Sequence, residues 1–213
     1  MTTELSQDQT TRSIYFVLLG KAGAGKDYIL NKILQFYPSI NRVISATTRP
    51  PREGETNNLS YHFLTDEEGK QWIDEGRFLE HRTFRGWLYG TPLASINNGI
   101  NAGISSPGGI LNMKKYIDNA GIEDKLLIYP IYVTAPNDIR KERYLSRETS
   151  VTDDWNRRFF ADEEDFKNIY KTLGDNFNNY MRVNNIKEIE TWHNIKWLDA
   201  IIRNCQYPVI PPI

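Results

Sequence analysis

The residues with the clearest chemical potential form a glycine-rich run near the start of the chain, Gly20-Lys21-Ala22-Gly23-Ala24-Gly25-Lys26. This run fits G-x-x-x-x-G-K, in which glycines let backbone N–H groups surround phosphate oxygens and the lysine reaches the outer phosphates of a nucleotide. A glycine-rich turn that binds nothing is the alternative interpretation. The candidate phosphate-binding residues are Gly20, Ala22, Gly23, Ala24, Gly25, Lys26 and Asp27.

The residue after the lysine departs from this pattern. A Ser or Thr whose hydroxyl coordinates Mg²⁺ is expected there, but the chain has Asp27. A carboxylate is also a hard oxygen ligand, so Asp27 is a candidate ligand for Mg²⁺, directly or through water. An acidic residue in the first turn of a helix is explained equally well by the helix dipole. Both interpretations stay open.

A second group of residues suited to phosphate lies further along the chain. Arg49 and Arg52 stand three residues apart beside two prolines, and Tyr61 follows them. An arginine holds phosphate through two parallel hydrogen bonds, so paired arginines with a tyrosyl hydroxyl can clamp a monophosphate. On its own this pattern is weak evidence.

The hydrophobic pattern predicts the elements that must position these groups. Ser13 to Leu19 is a continuous apolar run, which is typical of a strand buried on both faces of a parallel sheet. Apolar residues from Ile29 to Tyr37 then recur with helical spacing until Pro38. A helix N-terminus directly after the glycine-rich run would favour phosphate binding. Strand, loop and helix in this order predict an α/β nucleotide-binding fold.

Local signals predict several later elements. The run Thr65-Asp66-Glu67-Glu68 has the spacing of a capping box and predicts the start of a helix. The Asn-, Gly- and Ser-rich segment 97–109 predicts a loop around one weak strand. Pro130 should interrupt a central strand, which places the regular part at 131–134. Helices are predicted over 136–146 and 159–174.

The two candidate phosphate sites belong to a longer pattern. It runs through Thr47-Thr48-Arg49-Pro50-Pro51-Arg52-Glu53-Gly54-Glu55, Tyr61-His62-Phe63, Phe78-Leu79-Glu80 and Gly86-Trp87-Leu88-Tyr89-Gly90-Thr91. This pattern closely resembles the acceptor lobe of the guanylate kinase family, T-T-R-x-P-R-x-G-E…Y-x-F…F-(I/L)-E…G-x-x-Y-G-(S/T), and every fixed letter is present. The resemblance continues into the family's lid, because Arg143, Arg147 and Arg158 have its spacings of four and eleven residues.

The resemblance implies a role for each matching residue. Lys26 and the lid arginines Arg143, Arg147 and Arg158 would neutralise the transferring phosphoryl group. Arg49, Arg52, Tyr61 and Tyr89 would bind the acceptor's phosphate, and Ser45, Glu80 and Thr91 would face its base. The chemistry agrees for Glu80, since an ionised carboxylate can accept from guanine N1–H and the exocyclic amine together, a pair that adenine lacks.

One segment departs from the family near the base. The family normally has a D-x-D-like stretch after its third strand, and one of those carboxylates helps to recognise the guanine amine. The corresponding segment here is Ile104-Ser105-Ser106-Pro107-Gly108-Gly109, which puts Ser106 at the carboxylate position. The acceptor could therefore be GMP, dGMP, a modified purine or several monophosphates.

Composition excludes other classes of protein. The chain of 213 residues has 26 basic and 27 acidic side chains, and this balance argues against a nucleic-acid-binding protein with a basic face. Its one cysteine, Cys205, leaves no disulfide framework. The apolar run 14–19 is too short to span a membrane, and the polar leader lacks a signal sequence. A cytoplasmic protein that binds no membrane is expected.

The resemblance implies one guanylate-kinase-like domain over residues 1–213. Its fold would be a P-loop NTPase-type parallel sheet flanked by helices, with an inserted monophosphate-binding lobe and a helical lid. The predicted core is 13–47, 97–135 and 159–205, the acceptor lobe 48–96 and the lid 136–158. The resemblance implies an enzyme that transfers the ATP γ-phosphoryl group to GMP or dGMP with Mg²⁺. A kinase for other monophosphates and a non-catalytic phosphopeptide-binding module are the alternatives, and the oligomeric state stays open.

Overall fold

The central strand of the fold is the apolar run near the N-terminus. The computed structural model describes residues 12–146, 152–177 and 179–186, with the helical positions 196, 198, 200 and 202. In it, β1 (Ser13–Leu19) is buried at every position, which confirms the predicted strand. The further elements in these ranges are α1 (Lys26–Phe36), β2 (Asn41–Arg42), β3 (Ala46–Thr47), β4 (His62–Phe63), α2 (Asp66–Asp74), β5 (Phe78–Phe84), β6 (Trp87–Pro92), β7 (Ile100–Ile104), α3 (Pro107–Ala120), β8 (Leu126–Thr134), α4 (Asn137–Leu145), α5 (Thr152–Asp165), α6 (Ile169–Asn176) and β9 (Met181–Asn184).

The main sheet consists of five parallel strands in the order β2-β7-β1-β8-β9. Strand β1 lies between β7 and β8, with Ile14 beside Ile100 on one side and Leu127 on the other. In open sheets of this kind, ligands bind beyond the carboxyl ends of the strands. The loop after β1 therefore lies where a nucleotide is expected. These features confirm the predicted α/β fold.

Apolar side chains cover both faces of the main sheet. Alternate β1 residues from Ile14 pack with α1 on one face, and those from Tyr15 pack with α3 and α6 on the other. This alternation follows from the two-residue period of a strand. Burying one large aliphatic side chain contributes about 1.5–3 kcal/mol, so the two clusters fix the sheet firmly under the phosphate loop.

A second sheet of four strands, in the order β4-β3-β6-β5, forms a separate layer between Ala46 and Pro92. Its small core contains Ala46, Phe78 and Leu88, with Trp72 of α2 packed against them. Helix α2 begins with the predicted capping box: the Thr65 hydroxyl accepts from the Glu68 N–H, and Glu68 accepts from the Thr65 N–H. The boundaries 48–96 of the acceptor lobe stay a prediction.

The segment 97–109, predicted as a loop around one weak strand, contains that strand but is more regular than expected. Residues 100–104 form β7, an inner strand of the main sheet, and α3 begins at Pro107. Asn101, one of the polar residues that indicated a loop, is fully buried in this strand. Its amide donates to the Ile14 and Asn97 carbonyls at 3.3 and 2.8 Å, which satisfies its polar group inside the fold. A Cβ at Gly103 would lie 2.6 Å from the Tyr15 hydroxyl. Tertiary contacts thus override the local signal.

The interruption predicted at Pro130 is wrong. Strand β8 is continuous from Leu126 to Thr134, with Pro130 beside Val17 of β1. The pairing of β8 with β9 begins only at Ile131. At Pro130, β8 therefore pairs with β1 but not with β9. Proline has no N–H to donate, and a position without a partner strand on one side tolerates this loss.

The helices after β8 differ in part from the prediction. Helix α4 confirms the predicted 136–146 within one residue at each end. The helix predicted over 159–174 is instead two helices, α5 and α6, separated by a turn in which the Lys167 and Ile169 N–H groups donate to carbonyls three residues earlier. This turn lets both Phe166 and Ile169 reach the core. Among the described residues, none of the helices is long and apolar enough to cross a membrane.

Candidate active site

The glycine-rich run forms a tight loop between β1 and α1. Gly23 and Gly25 have φ angles of 74° and 87°, a left-handed conformation that residues with a Cβ rarely adopt. Gly25 is the N-cap of α1, so Lys26 and Asp27 open the helix. A Cβ at Gly20 would lie 2.4 Å from the Val133 carbonyl oxygen, which explains the glycine there. The loop has the shape that a phosphate-binding loop requires.

The Lys26 side chain folds back over this loop. Its Nζ donates to the carbonyl oxygens of Gly20 at 2.7 Å and Lys21 at 3.3 Å. Burial lowers the pKa of Lys26 to about 8, and the charges of Asp27 and Asp162 oppose that change. The two carboxylates do not fully compensate the cost of burying the charged ammonium. An anion bound in the loop would stabilise the charged form further.

Asp27 follows Lys26 at the start of α1. Its side chain is exposed in the first turn of α1, and its charge contributes to raising the pKa of Tyr61, after the larger effect of burial. Across the described residues, His, Cys, Asp and Glu side chains form no cluster of three that could hold a metal ion. Mg²⁺ keeps most of its ligands as water and substrate phosphates, so one carboxylate beside a phosphate loop fits that ion.

The predicted monophosphate clamp is assembled on the second sheet. The Arg49 guanidinium is buried and donates to both Glu55 oxygens at 2.8 and 2.9 Å. It lies 5.5 Å from the centre of the Tyr61 ring, which contacts the Tyr89 ring at 6.3 Å. Arg52 is exposed at the same turn, and its backbone N–H donates to a Glu55 carboxylate oxygen at 2.7 Å. A carboxylate thus occupies the arginine fork that a phosphate would use.

A buried carboxylate lies at the end of this clamp nearest the main sheet. Glu80 is 7% exposed, and its Oε1 accepts from the Thr91 hydroxyl at 2.9 Å. Its Oε2 is buried and accepts no hydrogen bond from the described residues. Burial raises the pKa of Glu80, and the hydroxyls of Thr91 and Ser105 and the charge of Arg82 oppose that rise. A buried acceptor of this kind can accept a hydrogen bond from a bound ligand.

The serines near Glu80 are arranged differently from the prediction. The Ser106 hydroxyl accepts from the Gly109 N–H at 3.1 Å and caps α3. The serine beside Glu80 is Ser105, one residue earlier. A Cβ at Gly109 would lie 2.1 Å from the Ser105 hydroxyl and 3.2 Å from Glu80 Oε2, so glycine keeps this space open. Ser45, the remaining predicted base-facing residue, is half-buried next to β3.

Two further residues near Glu80 were missed from the sequence. The Tyr15 hydroxyl is buried without a hydrogen-bond partner among the described residues, and burial and the charge of Glu80 raise its pKa. Arg82 lies opposite Tyr89 in the β5–β6 pairing, as Glu80 lies opposite Thr91. Within the described part of the chain, the Arg82 guanidinium forms no recorded hydrogen bond or ion pair and contacts the Phe84 ring at 5.7 Å. An arginine two positions after a buried glutamate in a strand was the available signal.

The predicted lid arginines lie on α4 and α5. Arg143 donates to the Asn185 carbonyl at 2.9 Å, and the Asn185 amide donates to the Ala24 carbonyl of the phosphate loop at 2.9 Å. Arg158 Nε lies 3.3 Å from Asp162, and its guanidinium lies 5.1 Å from the Phe84 ring of β5. Arg147 lies outside the described residues. Helix α4 thus packs against the phosphate loop, where a Cβ at Gly23 would meet the Arg140 carbonyl, and α5 contacts the second sheet through Arg158.

Known proteins resemble this chain over most of its length. A family model described as guanylate kinase matches residues 12–190. A guanylate kinase of Chlorobium luteolum is 32% identical over 173 residues, 75% of this chain and 84% of the relative. A guanylate kinase of Rubrobacter xylanophilus is 43% identical over 94 residues. That match covers 44% of this chain and 49% of the relative, so the chain spans about half the length of this relative. The crystal structure of guanylate kinase from Anaplasma phagocytophilum shares the fold, with a TM-score of 0.61, 18% identity and coverage of 93% of this chain and 89% of that one.

Proposed function

The chain belongs to the guanylate kinase family, and we propose that it transfers the γ-phosphoryl group of ATP to GMP or dGMP. The observation that carries this proposal is the buried Glu80 carboxylate, which has one oxygen unpaired. Guanine offers two adjacent N–H donors to such a group, whereas adenine offers no such pair. We assign the donor side of the reaction to the phosphate loop and the acceptor side to the arginine clamp.

On the donor side, we assign the ATP phosphates to the loop 20–27. Their charge would draw the Lys26 ammonium away from the Gly20 and Lys21 carbonyls and restore the pKa that burial depresses. Mg²⁺, when bound, neutralises phosphate charge, and Asp27 is the residue that would hold it. We assign Arg143, Arg147 and Arg158, which the resemblance places in the lid, to the charge of the transferring phosphoryl group. Positioning and charge stabilisation are what phosphoryl transfer demands, so no covalent intermediate is needed.

On the acceptor side, the monophosphate takes the place of Glu55 in the Arg49 fork and also meets Arg52, Tyr61 and Tyr89. Arg82 adds another guanidinium to this region, because it lies opposite Tyr89 on the neighbouring strand. The base extends inward to Glu80, with Ser45, Thr91, Ser105 and Ser106 around it. Closure of a lid at about 136–158 over the acceptor lobe would exclude water and limit ATP hydrolysis. A cytoplasmic location stays a prediction.

A coupled assay of ADP release tests the proposed function. ATP is supplied with GMP, dGMP, IMP, AMP, CMP and UMP in turn, with and without Mg²⁺. The expected result is turnover with guanine monophosphates and little with AMP or the pyrimidines. Equal rates with all of these acceptors would show that Glu80 does not face the base, and no turnover with any of them would contradict the kinase assignment.

Removing the exposed arginine of the clamp should weaken acceptor binding selectively. We expect Arg52→Ala to raise KM for GMP by about 10- to 150-fold, the effect of losing one charged hydrogen bond, and to leave KM for ATP nearly unchanged. Arg42→Ala is the matched control, because Arg42 is also exposed but donates to Asn31 on the main-sheet side, at 2.9 Å. An equal rise in both KM values for Arg52→Ala would indicate a structural role.

The Asp27→Asn variant separates the two interpretations of Asp27. A metal-binding carboxylate adds negative charge near the ATP phosphates, which is tolerable only with the ion present. We expect the variant to need several-fold more Mg²⁺ for half-maximal rate, with metal-free ATP binding equal or better. If Asp27 only complements the helix dipole, the Mg²⁺ titration will not move and the melting temperature will fall slightly.

A further inference from the structure

Two buried charged residues outside the phosphate loop, Arg140 and Asp162, hydrogen-bond to the backbone of the loop residue Ala22. Arg140 of α4 and Asp162 of α5 are each 2% exposed. The Ala22 N–H donates to Asp162 Oδ2 at 2.5 Å, and the Ala22 carbonyl accepts from Arg140 Nε at 2.9 Å. Arg140 Nη2 also lies 3.4 Å from the same Asp162 oxygen. Both backbone groups of Ala22 are therefore bonded to a buried ion pair.

The Arg140 side chain is itself fixed from several directions. Its Nη1 donates to Asn137 Oδ1 at 2.8 Å, and the rings of Trp155 and Phe159 lie 5.6 and 5.7 Å from its guanidinium. A Cβ at Gly23 would lie 2.2 Å from the Arg140 carbonyl oxygen, so α4 packs directly against the loop. An arginine held by hydrogen bonds and aromatic faces has little freedom to change its orientation.

The second oxygen of Asp162 faces a different partner. Its Oδ1 lies 3.3 Å from Nε of Arg158, whose guanidinium also contacts Phe84 of the second sheet. One carboxylate thus contacts the donor loop through Oδ2 and an arginine proposed for phosphoryl transfer through Oδ1. Charged buried networks are costly to assemble and depend on all their members, so removing Asp162 should disturb both partners.

We infer that Asp162 is a positioning residue that couples the phosphate loop at Ala22 to the orientation of Arg158, with Arg140 holding Asp162 in place. This inference rests on the proposed phosphotransfer function. The loop N–H and the lid guanidinium share one acceptor group, so the loop shape that receives ATP also orients the arginine that meets the transferring phosphoryl group. Preorganisation of this kind affects binding through the loop and turnover through the arginine.

Two substitutions of Asp162 separate its contact with Ala22 from its contact with Arg158. Asp162→Ala removes both contacts, and we expect KM for ATP to rise and kcat to fall, each by about 10-fold and at most about 100-fold, with KM for GMP unchanged. Asp162→Asn keeps an acceptor for the Ala22 N–H but points an amide donor at Arg158. It should restore KM for ATP and leave kcat low. A merely structural role would not produce this split.

Controls distinguish the failure of this inference from loss of the fold. Asp118→Ala removes the exposed carboxylate paired with Lys114 on α3 and should change neither constant. The double variant Arg140→Met/Asp162→Leu replaces the buried pair by apolar side chains and should keep the melting temperature while showing the Asp162→Ala kinetics. Wild-type values of kcat and KM for ATP in a folded double variant would overturn the inference. The inference would also fail if the activity of the Asp162 variants fell only in proportion to the fraction of folded protein.

A binding measurement keeps the test independent of turnover. If the wild-type protein phosphorylates no monophosphate, the proposed function fails, whereas calorimetric binding of a non-hydrolysable ATP analogue still reports on the loop. The analogue should bind about 10-fold more weakly to Asp162→Ala than to wild type and about equally to Asp162→Asn. Equal binding to Asp162→Ala would contradict the contact with Ala22 as a positioning contact.

Discussion

A Lys26→Met variant should keep the fold and lose nearly all turnover. The Lys26 ammonium donates to two carbonyls of the loop itself, so it lies where it can reach phosphates that the loop binds. Removing one preorganised donor from developing charge typically costs about 10²–10³-fold in kcat. We expect a loss of at least this size in the ADP-release assay with ATP and GMP, since Lys26 carries a full charge. Retained turnover would remove the loop from the mechanism.

Stability and pH provide the controls for this variant. Burial lowers the pKa of Lys26 to about 8, so the fold disfavours the charged form and methionine should leave the melting temperature equal or higher. Lys21→Met, in the same loop but paired with Glu163, should keep most of the activity. In the wild type, kcat/KM for ATP should fall as pH rises through about 8, because the ratio reports the free enzyme and only the ammonium attracts phosphate. This fall should be absent in Lys26→Met.

A Glu80→Gln variant should lose its preference for guanine. The amide keeps the shape of the side chain but replaces one acceptor oxygen by a donor that opposes the guanine N–H groups. A buried mismatch of this kind costs about 1–3 kcal/mol, or about 5- to 150-fold in kcat/KM for GMP. The rate with AMP should stay the same or improve, so the GMP to AMP ratio is the decisive measurement.

The pH dependence of GMP use gives a second test of Glu80. Burial raises the pKa of this carboxyl, and only the ionised form accepts from both guanine N–H groups. The kcat/KM for GMP should therefore decline on acidification at a higher pH than an ordinary glutamate would cause. Glu80→Gln should lack this decline. Thr91→Val, which removes the neighbouring hydrogen-bond donor, should move the decline to still higher pH, because that hydroxyl stabilises the ionised form.

The parts of the fold that sequence predicted well depend on local chemistry. Strand β1 is buried throughout and apolar after Ser13 because both of its faces are covered. The capping box at Thr65 needs only residues within one turn. The phosphate loop is equally local, since its glycines permit left-handed backbone at Gly23 and Gly25. These elements could be read from short windows of sequence.

The parts that sequence did not predict depend on distant neighbours. Strand β7 was expected only as one weak strand within a loop. Its place inside the main sheet depends on distant residues, since Asn101 donates to the Ile14 carbonyl of β1 and accepts from Asn41. The proximity of Ser105 to Glu80 was not predicted, and the hydroxyl of the predicted residue, Ser106, caps α3. The hydrogen bond between Ala22 and Asp162 joins residues 140 positions apart, so no local sequence pattern could predict it.

The position of β1 in the main sheet governs how the chain must be assembled during synthesis. Its neighbours are β7 and β8, so Ile14 meets Ile100 and Leu127 only after the whole second sheet has been translated. Contacts of such long sequence separation form slowly, because the chain must first close a large loop. Until then a fully apolar strand is exposed, and exposed apolar strands aggregate. The second sheet, whose strands all lie between Ala46 and Pro92, can form first. The yield of folded protein should therefore depend on how promptly β8 leaves the ribosome.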